Sequence, residues 1–101
     1  MMFEIQGTGY TLKFNKQRIK TVELMTKRSV MAEISNNNGV LSMQTLEALF
    51  AIGLVEEKTN VAVKQSKAVE IFDKVMEENG LLTLNNAVIE KLQEDLGFMF
   101  Q

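Results

Sequence analysis

The chain contains no cysteine, no histidine, no tryptophan and no proline. Without Cys or His there is no zinc finger, haem ligand, thiol nucleophile or disulfide framework, and no side chain that titrates near neutrality unaided. Any catalysis would rest on carboxylates, lysines or hydroxyls with strongly shifted properties. An enzyme is therefore a poor expectation, and no cofactor or metal is expected. No apolar run approaches the roughly 20 residues that cross a bilayer. The opening Met1-Met2-Phe3-Glu4-Ile5 lacks a basic stretch ahead of an apolar one, so it does not read as a signal peptide. A soluble cytoplasmic protein is the expectation.

What is present fits one domain spanning 1–101, with 46% hydrophobic and 24% charged residues among the 101. That balance is globular rather than disordered. Residues 3–14 alternate Phe3, Ile5 and then Tyr10, Leu12, Phe14 around Gly7-Thr8-Gly9. Period-two alternation about glycines predicts a β-hairpin with one apolar face, which must lie on helices that follow. Asn15 is placed to cap a helix from about Lys16 to Ile34, with Ile19, Val22, Val30 and Ile34 in one stripe. Leu24 and Met31, seven apart, form a second seam on that helix, flanked by Lys20 and Lys27.

Ser42 can cap a second helix, about Met43 to Ile52, whose apolar residues cover most of its circumference, with Gly53 as a left-handed stop. It is expected to be the buried hub. Residues 55–63 read as a loop or a brief extended segment. A third helix runs from near Lys64 to Asn79 with Ala68, Phe72, Val75 and Met76 on one stripe. A fourth, about Leu84 to Leu96 with Thr83 as cap, carries Val88, Ile89, Leu92 and Leu96 and stops at Gly97, and Phe98-Met99-Phe100 follows it. The expected fold is mainly α within an α+β class: a hairpin plus about four helices.

Charge is unevenly distributed. Residues 1–32 hold six basic and two acidic side chains, a net +4, while the remainder holds five lysines and eleven acids, a net −6. Such a chain can bind itself head to tail. The plainer reading is solvated faces. A nucleic-acid site on Lys16, Arg18, Lys20, Lys27 and Arg28 is disfavoured, because the pI is about 5.1 and the aromatics are not interleaved with the cations.

No catalytic constellation survives comparison with an ordinary surface. The pairs Glu56-Glu57, Glu77-Glu78 and Glu94-Asp95 are adjacent in sequence, and neighbours on a helix diverge by about 100°. Gly7-Thr8-Gly9 does not continue as a phosphate-binding loop, and Asn36-Asn37-Asn38-Gly39 reads as a connection. Seven methionines and the terminal Phe98-Met99-Phe100 point instead to adaptable apolar contact. Met43 and Met76 lie on buried stripes and are expected in the core, whereas Met25, Met31 and Met99 lie off them. The candidate partner-binding residues are Lys20, Leu24, Lys27, Met31, Phe98, Met99 and Phe100.

Three stretches carry a family resemblance: Met2-Phe3-Glu4-Ile5 through Gly9-Tyr10-Thr11-Leu12-Lys13-Phe14-Asn15 with Ile19 and Glu23; Leu49-Phe50-Ala51-Ile52-Gly53-Leu54; and Gln65 to Met76 with the closing Leu96-Gly97-Phe98-Met99-Phe100. In these the chain resembles the tail assembly chaperones of long-tailed bacteriophages of Gram-positive hosts. The matches are apolar and turn positions, and Met99 departs from the usual aromatic ending. The resemblance implies a non-enzymatic protein of the host bacterial cytoplasm, absent from the finished virion, that binds the tape measure protein and keeps its apolar helical segments soluble. A homo-oligomer or open helical array is expected with it; the alternative is a small phage structural connector or nucleic-acid-binding regulator.

Overall fold

The computed structural model describes residues 2–101. The hairpin forms from β1 (Met2–Ile5) and β2 (Thr8–Leu12), paired antiparallel with Phe3 opposite Tyr10 and Ile5 opposite Thr8. Its loop is Gln6-Gly7, one residue earlier than the glycine pattern suggests. Both residues have positive φ, 49° and 83°, as a two-residue primed turn demands. Thr8 and Gly9 thereby belong to β2.

Asn15 caps α1 (Lys16–Thr26), its side chain accepting from Arg18 N at 2.8 Å. The helix then stops, eight residues short of the expected Ile34. Lys27 turns left-handed (φ 58°) with its N–H on Glu23 O, and Ser29 caps a separate α2 (Val30–Asn36) through Ala32 N at 3.1 Å. Glu23 seals the break by accepting from Val30 N at 2.8 Å. The bend lets Val30 reach the core and Glu33 reach the start of the next helix. Among the described residues there are thus five α-helices rather than about four.

Helix α3 (Met43–Gly53) is the expected hub: Leu46, Leu49 and Phe50 are fully buried, and it packs against α1, α4, α5 and β2. Met43, expected in the core, is exposed at the helix start. Gly53 is a helical residue and not a left-handed stop. A Cβ there would lie 2.6 Å from the Phe14 ring, so the position is small because an aromatic ring packs on it. The chain passes straight into β3 (Leu54–Glu56), which joins the sheet beside β2 in the order β1-β2-β3. Residues beyond β3 fold back on it through Glu56 N to Val61 O at 3.0 Å and Val63 N to Leu54 O at 3.0 Å. The segment 55–63 is therefore the sheet's third strand and its return.

Helices α4 (Gln65–Asn79) and α5 (Leu81–Asp95) meet at Gly80, whose φ of 89° permits a one-residue corner. Because α5 starts at Leu81, Thr83 lies inside it and does not cap it. A 3₁₀ turn, Gly97–Phe100, closes the chain. An aromatic series, Tyr10, Phe3, Phe50 and Phe72, joins hairpin, α3 and α4 at centroid separations of 5.7, 5.9 and 5.5 Å.

Two buried polar side chains fasten the connection from α2 to α3. Asn85 of α5 accepts from Leu41 N at 2.9 Å and donates to Gly39 O at 2.8 Å. Glu33 accepts from Ser42 N and from the Thr45 hydroxyl at 2.7 Å, while Ser42 Oγ caps α3 by accepting from Thr45 N at 3.1 Å. Burial alone would raise the Glu33 carboxyl. The Ser42 N–H, the Thr45 and Ser42 hydroxyls and the charge of Arg28 together outweigh it and hold the group below its usual value.

Candidate partner-binding surface

Ile19 and Val22 turn one side of α1 into the core, which leaves the opposite side to solvent. Lys16, Lys20 and Leu24 recur there every four residues, a stripe about 12 Å long at 1.5 Å per residue. Leu24 is 79% exposed, the most exposed large apolar side chain among the described residues, and Met25 beside it is also exposed. Lys27 ends the stripe at the left-handed corner. Met31 belongs to α2 and is half-buried, so Leu24 and Met31 do not form one seam. The expected seam fails because the helix that was to carry it is broken.

The C-terminus comes to the other end of this stripe. Asp95 accepts from Phe14 N at 2.8 Å and pairs with Lys91 at 3.2 Å, which ties the end of α5 to the entry of α1. The 3₁₀ turn that follows places Phe98 under Lys16, with Nζ 5.9 Å from the ring centroid, at the outer range of a cation–π contact. Phe98 is exposed, whereas Met99 and Phe100 pack partly buried against the core. Of Phe98, Met99 and Phe100, only Phe98 is thus exposed.

The structure therefore brings Phe98, Lys16, Lys20 and Leu24 along one side of α1 with Met25 at its edge, while Met31 lies on the following helix and Met99 and Phe100 pack partly into the core. No local spacing signals the meeting of Lys16 and Phe98, since they lie far apart in the chain. Apolar exposure elsewhere is at Met2, Val40, Met43, Val61 and Leu82. Among the described residues no group of three or more His, Cys, Asp or Glu could hold a metal ion, and no helix is long and apolar enough to cross a membrane. Of the carboxylate pairs, Asp95 is engaged structurally and Glu56 accepts from Thr59 at 3.3 Å.

No family model, curated protein or solved structure matches this chain.

Proposed function

We propose that this protein is a phage tail assembly chaperone that binds the tape measure protein and keeps its apolar helical segments soluble until the tail tube assembles around them. The observation that carries the reading is the exposed strip of Leu24, Met25 and Phe98 set among Lys16 and Lys20. A chaperone for a long client needs shallow, adaptable contacts rather than a deep pocket, and unbranched Met beside Leu suits that task. Apolar side chains give adhesion, and the lysines keep the strip hydrated and select acidic helical segments. Copies along one client add through effective concentration. The opposed charge of the two parts of the chain, +4 and −6, supports head-to-tail association into a homo-oligomer or open helical array. In this reading the protein acts in the host bacterial cytoplasm and is absent from the mature virion.

Co-expression with tape measure fragments tests it: the fragments become soluble and elute with the protein. Unchanged fragment solubility with no complex refutes it. One observation favours a second reading, a structural connector or nucleic-acid-binding regulator: Lys16, Lys20, Lys27 and Arg28 are all exposed along α1 and its corner. The exposed Leu24 and Phe98 within that patch fit phosphate contacts poorly. Retention on a DNA or RNA column at moderate salt, or presence in purified virions, would favour it over the chaperone.

A further inference from the structure

Strand β1 is the outer strand of the three-stranded sheet, and among the described residues no strand lies beyond it. A groove of about 280 Å³ runs beside it. All four β1 residues form one wall, with Val75 and Glu78 of α4 and Leu84 and Ala87 of α5 on the other. Because consecutive residues line it, the groove exposes the backbone edge of the strand as well as one of its faces. An edge of this kind is a template for a further strand. Phe3 and Ile5, which face the core, are only partly buried, so an added strand would cover apolar surface that β2 leaves open.

The charge of the groove defines what fits. Its two charged lining residues, Glu4 and Glu78, are both acidic, and Glu57 lies with Glu4 on the neighbouring surface. A second copy of β1 is a poor occupant, since full overlap of two antiparallel Met2–Ile5 strands sets Phe3 opposite Glu4 on each face. We propose that the β1 edge binds an extended segment of a partner protein in which apolar residues alternate with Lys or Arg. Its backbone continues the sheet as a fourth strand, its apolar side chains join Phe3 and Ile5, and its cations, on the opposite face, meet Glu4. This site is separate from the α1 strip and stands whether or not that strip binds a tape measure protein.

The test uses the full chain, isotope-labelled, titrated with a capped eight-residue peptide of alternating Val and Lys. Expected are resonance shifts at Met2–Ile5, Val75 and Ala87, slowed exchange of the β1 amides, and binding weakened roughly threefold in the Glu4→Gln variant. A peptide N-methylated at every residue, which keeps the side chains but cannot donate backbone hydrogen bonds, should not bind. Retained binding of the N-methylated peptide overturns strand addition. Equal binding of a Val and Glu peptide, shifts confined to α1 and Phe98, or a peptide-free dimer joined through β1 each overturn the stated occupant.

Discussion

Replacing Glu33 by Gln probes a buried carboxylate without changing its size. Its two acceptors hold Ser42 N and the Thr45 hydroxyl. Hydrogen bonds to charged groups contribute about 1.5–3 kcal/mol and neutral ones about 0.5–1.5, so neutralising the group costs about 2 kcal/mol. For a domain of this size that is roughly 8–15 °C in Tm. The sign of the pH dependence follows from the lowered folded-state value. The unfolded chain takes up the proton first, so the stabilisation is complete above the unfolded value of about 4.5 and is lost as pH falls through the lower folded value. Urea unfolding of both proteins from pH 7 to pH 2.5 should show the gap constant near neutrality and shrinking progressively below about pH 4.5. A gap independent of pH, or no gap at neutrality, would refute the reasoning.

Gly53→Ala should destabilise by about 1–3 kcal/mol through collision with the Phe14 ring, although Gly to Ala inside a helix ordinarily stabilises by up to ~1 kcal/mol; the loss should shrink when Phe14→Leu is added, and a stabilised single variant would contradict the packing. Asn85→Ala should cost about 2–3 kcal/mol, because Leu41 N and Gly39 O lose their buried partner, and amide exchange should speed first at residues 39–42; protection there unchanged from the parent would contradict it.

Much of the architecture was written locally. Asn15 and Ser42 are N-caps followed by helical periodicity, and each caps the helix expected of it. Phe3, Ile5, Tyr10 and Leu12 alternate, and they line one face of a hairpin. What escaped was set by competition or by distance. The run from Ile19 to Ile34 fits one helix, yet Ser29 is as good a cap as Asn15, and burying Val30 and Glu33 together favours the break. Lysine has no preference for the left-handed corner it occupies at residue 27, so no composition signal marks it. Gly53 looked like a stop because the ring that demands its smallness, Phe14, lies in another element. The short β3 needed its partner β2 to exist, and three residues carry too little pattern alone. Within the candidate site, the exposure of Leu24 was legible from its place off the Ile19 and Val22 stripe. Met31 was misplaced by the unseen corner, and the contact of Lys16 with Phe98 depends on Asp95 reaching Phe14.

For a chaperone of the proposed kind, the Leu24 and Phe98 strip must hold the tape measure protein. The direct measurement is co-elution of a tape measure fragment with the parent protein and with a Leu24→Asp, Phe98→Ala variant, after circular dichroism and urea unfolding confirm that the variant stays folded. Substitution at such exposed sites should change stability by no more than about 0.5 kcal/mol each. The predicted result is a soluble complex with the parent and its loss with the variant. A complex that survives both substitutions, or a parent that binds no fragment, would contradict the account.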